Sequence, residues 1–223
     1  MRPLKPEKPA APVKKTSDQD YGIVVVGASA GGVSALSRLV SGLPGTLQAA
    51  VFVVQHLKSG AEKSRLKDIL ALHTRLRVVR ARDQMPVQKG WVYVAEPGRH
   101  LRIKQGIISL DKGEPVRFVR PSVDVLFRSA AEHYGSRVVG VVLTGIGSDG
   151  AEGCRAVKKN GGICIVQDRE TAQFFDMPEA AIATGTVSHV MPIHQMADTV
   201  IRELKRLKKV TDTIENGVSD TDT

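Results

Sequence analysis

Four continuous apolar runs constrain the fold of this chain more than any other feature. They occupy residues 22–28, 49–55, 138–145 and 162–168. Apolar residues also recur at helical spacing in segments around these runs, at 31–42, 61–72, 122–134, 151–160 and 193–207. Apolar runs without alternation are typical of strands buried on both faces of a parallel sheet. The sequence therefore predicts an α/β fold, with a doubly wound, mostly parallel sheet flanked by helices.

Residues 91–110 follow a different pattern from the four runs. Apolar and polar residues alternate there around Gly98 and Gly106, which predicts a small antiparallel hairpin extension. The Pro-, Lys- and Ala-rich residues 1–19 are expected to form a flexible N-terminal arm. Residues 20–207 are expected to form one folded domain, and residues 208–223 a frayed helix end and polar C-terminal tail.

Composition excludes several classes of protein. Of the 223 residues, 42% are hydrophobic and 25% are charged, which is typical of a globular protein. No apolar run approaches 18 residues and the N-terminus has no signal core, so we expect a cytoplasmic protein without membrane insertion. The two cysteines are too few for a disulfide framework or a four-ligand zinc site. No metal and no cofactor is predicted.

The basic charge is concentrated in one segment. The chain carries a net charge of +9, and residues 58–82 hold eight basic residues against two acidic ones. One interpretation is an ordinary solvated surface, and the other is a cationic rim that attracts an acidic partner. Nucleic acid is not expected as that partner, since aromatic residues make up only 4% of the chain and no RNA-binding motif is present.

The first apolar run ends in a glycine-rich turn, GASAGG at residues 27–32. Such glycines suit a dinucleotide, but that fingerprint needs a second glycine where Ser29 stands. A P-loop also fails, because no Gly-Lys-Ser/Thr follows. The alternative is a Gly-x-Ser-x-Gly turn, which exposes a serine hydroxyl above the sheet. Taken alone, the motif does not separate a nucleophile from a serine that caps a helix.

Two further polar residues follow apolar runs. His56 comes directly after the second run, and Asp149 follows the third run just before a predicted helix. Individually they are consistent with a loop histidine and a helix N-cap. Together with Ser29 they are the three residue types of a catalytic triad, in which imidazole takes the serine proton and a carboxylate orients the ring. The order Ser, His, Asp differs from the Ser, Asp, His order of α/β-hydrolases.

The ordered set of motifs resembles the catalytic domain of CheB-type protein-glutamate methylesterases of bacterial chemotaxis. Over residues 20–207 these motifs are GASAGG, QHL, RPSVDVLF, GVVLTGIGSDGAEG, GGICIVQD and DMPEAAI. The resemblance implies a serine hydrolase that removes methyl esters from receptor glutamates, releases methanol, and in many members deamidates glutamines. It implies Ser29 as nucleophile, His56 as base and acid, and Asp149 as orienting carboxylate. The backbone N–H groups of Ala30 and Ile146 are the expected oxyanion donors.

The sequence departs from the family pattern in three ways. Ala30 stands where many members carry threonine, and Ile146 where several carry methionine. The expected backbone donors survive both changes. The N-terminal arm is too short for the receiver domain typical of the family, which implies a different mode of regulation if the chain is complete. Met177-Pro178 and Arg120-Pro121-Ser122 match family positions near the cleft, and we expect them to serve mainly in loop packing.

The resemblance implies the cytoplasmic helices of methyl-accepting chemoreceptors as substrate, and the paired receptor methyltransferase is a further candidate partner. Two other functions stay open at this point. The chain could be a binding module that keeps the fold without esterase activity. A nucleotide-binding protein of the Rossmann type is the third hypothesis, which Ser29 in the glycine fingerprint disfavours.

Overall fold

A seven-stranded parallel sheet forms the centre of the protein. The computed structural model describes residues 21–56 and 64–217, with side chains to residue 209. The strands are β1 (Gly22–Ala28), β2 (Ala49–Gln55), β3 (Arg77–Arg80), β4 (Trp91–Val94), β5 (His100–Lys104), β6 (Ile107–Asp111), β7 (Val138–Val142), β8 (Ile163–Gln167) and β9 (His189–Met191). The helices are α1 (Gly32–Ser41), α2 (Leu66–Ala71), α3 (Val123–Tyr134), α4 (Ala151–Lys159), α5 (Asp176–Ile182) and α6 (Ile193–Gly217).

The strand order in the main sheet is β3-β4-β2-β1-β7-β8-β9, and β5 and β6 form a separate antiparallel hairpin. Two hydrophobic clusters cover the sheet. One contains residues of α3, α4 and α5 together with the hairpin, and the other contains residues of α1, α2 and α6. The predicted doubly wound fold is confirmed. Its topological switch point lies between β1 and β7, so a crevice is expected beyond the carboxyl ends of these strands.

Most of the predicted elements have the expected bounds. Strands β1 and β2 coincide with the first two apolar runs. The third run was expected to reach residue 145, but β7 ends at Val142 because Thr144 and Gly145 turn to bond the loops beside β1 and α5. The predicted helix at 61–72 begins, within the described residues, only at Leu66.

The antiparallel prediction for residues 91–110 is wrong for its first part. Only β5 and β6 form a hairpin, whereas β4 pairs in parallel with β2 and β3. Burial gives the physical reason, since Val92, Tyr93 and Val94 are all buried. The ring of Tyr93 stacks on that of Phe52 in β2, with centroids 4.9 Å apart. Strands β3 and β9 and helix α5 were not predicted.

The last helix is longer than predicted. Helix α6 continues past residue 207 to Gly217, because the polar segment that follows contains no proline and no glycine before Gly217. The predicted arm at residues 1–19 lies outside the described residues, and so does the end of the predicted tail. Within the described segments, no helix is both long and apolar enough to cross a membrane.

Candidate active site

Ser29 and His56 emerge from neighbouring strands at the same level of the sheet. Ala28 of β1 pairs with Gln55 of β2, so the next residue of each strand is Ser29 or His56. The His56 N–H donates to the Ala28 carbonyl at 3.0 Å, and the Ser29 N–H donates to the Thr144 carbonyl at 3.0 Å. The parallel register therefore brings the two side chains to the same crevice at the switch point.

Two glycines allow the tight turn after Ser29. Gly31 has a φ of 76°, and a Cβ there would lie 2.7 Å from Gln173 Oε1. A Cβ on Gly32 would overlap the side chain of Gln55. Helix α1 can therefore begin directly behind Ser29, with its N-terminal N–H groups close to the serine.

His56 is hydrogen-bonded to Asp149. The distance from His56 Nε2 to Asp149 Oδ2 is 2.9 Å, and the two side chains are only 9% and 4% exposed. An ionised carboxylate can only accept, so Nε2 carries the proton of the neutral ring and Nδ1 is left as the acceptor. The neutral ring thus leaves Nδ1 available to accept a hydrogen bond.

Asp149 is held by the N-terminus of α3. Besides His56, its carboxylate accepts from Ser122 Oγ at 2.8 Å, from Val123 N at 2.6 Å and from Asp124 N at 3.0 Å. Burial raises the pKa of this carboxyl, but the bonds from His56 and these backbone groups outweigh it, and the net pKa lies below the ordinary value. Asp149 is thus held as a carboxylate.

The interpretation of Asp149 as the N-cap of the helix that follows it is wrong. Gly150 is the N-cap of α4 and offers no side chain. Asp124, from α3, supplies the acceptor, since its Oδ1 accepts from Gly150 N at 2.9 Å and from Gly153 N at 2.7 Å. Asp149, which precedes α4, thus caps the N-terminus of α3, and Asp124, which belongs to α3, caps the N-terminus of α4. Burial and the neighbouring Asp149 charge raise the pKa of Asp124, although backbone donors and Arg117 oppose the rise.

The hydroxyl of Ser29 is less constrained. In the described parts of the chain its Oγ makes no hydrogen bond, and the same is true of the backbone N–H groups of Ala30 and Ile146. Free donors are what an oxyanion site requires. Gly145 lies directly over the serine, because a Cβ on Gly145 would approach Ser29 Cβ to 2.7 Å and Ser29 N to 3.0 Å.

Comparison with known proteins gives the family. The profile described as CheB methylesterase matches residues 24–200. The chain belongs to the CheB methylesterase family. A structure with a TM-score of 0.77, the "Crystal structure of Thermotoga maritima CheB methylesterase catalytic domain", is 36% identical and covers 82% of this chain and 98% of that one.

Two curated relatives carry the name protein-glutamate methylesterase/protein-glutamine glutaminase. The relative from Anaeromyxobacter dehalogenans, whose name ends in 2, is 41% identical over 206 residues, covering 92% of this chain and 59% of that protein. The relative from Archaeoglobus fulgidus is 39% identical over 186 residues, covering 82% of this chain and 53% of that protein. The chain thus spans little more than half the length of these family members.

Ser122 is more than a loop-packing residue. It is fully buried at the N-cap of α3, where its Oγ accepts from Val125 N and donates to Asp149. Its N–H donates to Nδ1 of the buried His100 at 3.2 Å, and Nε2 of that ring bonds the Glu114 carbonyl at 3.0 Å. Ser122 and His100 therefore connect the β5–β6 hairpin to the carboxylate of Asp149. The N-cap preference for serine was a usable signal for Ser122, whereas nothing in the sequence marked His100.

Gln55 connects Ser29 to His56. Its Nε2 donates to the Ser29 carbonyl at 2.6 Å and to the His56 carbonyl at 2.9 Å. Its Oε1 is buried and has no hydrogen-bond partner among the described residues. The last residue of an apolar strand carries no signal of this role, since the role depends on the register between β1 and β2.

The basic segment at residues 58–82 is partly committed to structure. Lys67 pairs with Asp68 at 2.7 Å, Arg77 lies 4.2 Å from the ring centre of Trp91, and Arg80 donates to the Ser64 carbonyl. Arg65, Arg75 and Arg82 are exposed. Lys58 and Lys63 lie outside the described residues. Among the described residues, no group of three or more His, Cys, Asp or Glu side chains is arranged so that it could hold a metal ion.

Proposed function

We propose that this chain hydrolyses the γ-methyl esters of glutamate side chains on chemoreceptor helices, with release of methanol. The observation that carries the proposal is the buried bond between His56 and Asp149, at 2.9 Å, beside a serine at the adjacent strand end. The names of the curated relatives support the substrate class, and they add glutamine deamidation as a second reaction of the same site.

The proposed reaction proceeds through an acyl-enzyme. Ser29 Oγ attacks the ester carbonyl while its proton moves to His56 Nδ1, and the imidazolium is stabilised by Asp149. The N–H groups of Ala30 and Ile146 hold the oxyanion, each worth about 3 kcal/mol in the transition state. His56 then protonates the departing methoxide. Water, deprotonated by His56, attacks the acyl-enzyme and releases Ser29 and the glutamate product. In deamidation the leaving group is ammonia.

Methanol release from a methylated receptor fragment tests the proposal. Ser29→Ala should lower the rate by about 10⁴-fold or more. A fluorophosphonate should label the wild-type protein at Ser29 and leave both Ser29→Ala and His56→Gln unlabelled. Unlabelled wild-type protein that binds the receptor fragment without releasing methanol would support the alternative of a non-catalytic binding module.

The exposed part of the basic segment supports a second element of this proposal, which concerns encounter with the receptor. Arg82 follows the carboxyl end of β3, and Arg65 follows Ser64, whose carbonyl accepts from Arg80 at the same strand end. These two exposed arginines form a cationic edge that attracts acidic receptor helices to the crevice. The value of kcat/KM should then fall as ionic strength rises, while kcat stays constant. A rate independent of salt contradicts this steering. The paired methyltransferase and a cytoplasmic location are proposed from the resemblance alone.

A further inference from the structure

A polar cavity of about 320 Å³ lies beside the turn that carries Ser29. Its walls come from the nucleophile turn, from α1, from the ends of β7 and β8, and from the start of α6. It includes Gly31, Ser34, Arg38, Gln173 and His194. Neither His56 nor Asp149 lines the cavity, so it is separate from the site described above.

Ser29 does not itself line the cavity, but its backbone is hydrogen-bonded to a residue that does. Thr144 in its wall accepts the Ser29 N–H at its carbonyl, and its Oγ1 donates to the Ala30 carbonyl at 3.0 Å. Gly31, another wall residue, follows Ser29 by two positions, which limits their Cα separation to about 7 Å. The cavity wall therefore begins two residues from Ser29.

The lining of the cavity suits an anion. Ser34 and Arg38 are one helical turn apart in α1, so their side chains share a face. The side chains of Ser34, Arg38, Gln173 and His194 are exposed, and in the described part of the chain they make no hydrogen bond or ion pair. No aspartate or glutamate lines the cavity. Two other arginines, by contrast, are neutralised: Arg117 by Asp124 and Arg169 by Glu179. Unpaired donors and an unneutralised guanidinium are the chemistry of a carboxylate site.

We propose that this cavity binds a second carboxylate of the substrate, from an acidic side chain close to the esterified glutamate. The inference rests on the proposed function. Residues three or four positions apart on a substrate helix have Cβ atoms about 5–6 Å apart, so an acidic side chain at that spacing lies on the same face of the substrate helix as the ester. A glutamate ester whose neighbour is already a free acid is then a better substrate than one whose neighbour is still esterified.

Helical peptides with one γ-methyl glutamate test the subsite, with Glu or Gln four residues away on either side. The Glu peptides should have a KM about three- to fivefold lower than the Gln peptides, at equal kcat. Arg38→Gln should abolish this preference, and Arg38→Glu should reverse it. Arg128→Glu is the matched control, because it makes the same charge change at an exposed position of α3 outside the cavity.

The possible outcomes separate this subsite from the esterase itself. Loss of the preference for Glu peptides in the Arg38 variants alone supports the subsite. Equal effects of the Arg38 and Arg128 substitutions would show that the preference comes from long-range charge, and would overturn the subsite. If wild-type protein hydrolyses none of the peptides, the proposed function fails. The subsite is then decided by fluorescence anisotropy with Ser29→Ala protein: preferential, Arg38-dependent binding of the Glu peptides supports it, and equal affinity for both kinds of peptide overturns it.

Discussion

Ser29 and Asp149 are held in opposite ways. Asp149 is only 4% exposed and accepts four hydrogen bonds, three of them from the first residues of α3 and its N-cap. Ser29 is half-buried, and in the described chain only its main-chain groups are bonded. A carboxylate that orients a base gains from rigidity, whereas a nucleophile must leave its Oγ free to form and break a covalent bond. Substitution of Ser29 should therefore reduce activity alone, whereas substitution of Asp149 should reduce both activity and stability.

Asp149→Asn should differ most from Ser29→Ala in its free energy of unfolding. We expect both variants to lose activity, Asp149→Asn by about 10⁴-fold, as for the corresponding change in a serine protease. Only Asp149→Asn should also unfold more easily, by about 2–4 kcal/mol, because an amide has one acceptor oxygen for four buried donors. Urea denaturation at pH 7 measures the difference.

Asp111→Asn is the control for that comparison. Asp111 is 37% exposed and pairs with Arg102 at the surface, so its loss should cost less than about 1 kcal/mol. An Asp149→Asn protein as stable as Ser29→Ala would show that the helix terminus does not depend on this carboxylate.

Gln55→Met tests whether Gln55 holds Ser29 and His56 in position. Methionine has a similar length but removes the donor that joins the Ser29 and His56 carbonyls. A displacement of the order of 1 Å between nucleophile and base would lower kcat by about 10- to 100-fold. Gln48→Met is the matched control, since Gln48 also donates to a backbone carbonyl, that of Thr46, at an exposed position. Equal kcat in the two variants would exclude a positioning role for Gln55.

The sequence predicted the positions of Ser29 and His56 better than the surroundings of Asp149. The uninterrupted run GIVVVGA placed Ser29 at a strand end, and a second such run did the same for His56. Parallel pairing then needs no further information to bring the two residues together. Asp149 was selected by its position before a helix, but its actual partner is the N-terminus of α3, 25 residues away in the chain. Gln55, His100 and Asp124 act through contacts of that kind, which no local pattern encodes.

Ser122→Ala should have a smaller effect than the changes above. It removes the N-cap of α3 and one of the four donors to Asp149, while the backbone donors and His56 remain. We expect a loss of about 1–2 kcal/mol in unfolding free energy and a severalfold loss in kcat. Ser122→Thr should restore part of both, because threonine is also a good N-cap. A fully active and fully stable Ser122→Ala protein would show that Ser122 serves only in loop packing.

Acid should close the stability gap between wild type and Asp149→Asn. The pKa of Asp149 is lowered in the folded state, so its stabilising contribution is present above the unfolded value of about 3.9 and is lost as pH falls through the folded pKa. Asp124 has the opposite sign: its raised pKa means that its ionised form opposes folding, and this opposition is relieved as pH falls. Urea midpoints at a series of pH values from 7 to 3 should therefore show the gap at full size near neutrality and shrinking below about pH 4. A gap that stays constant to pH 3 would assign the cost of the substitution to packing rather than to the charge of Asp149.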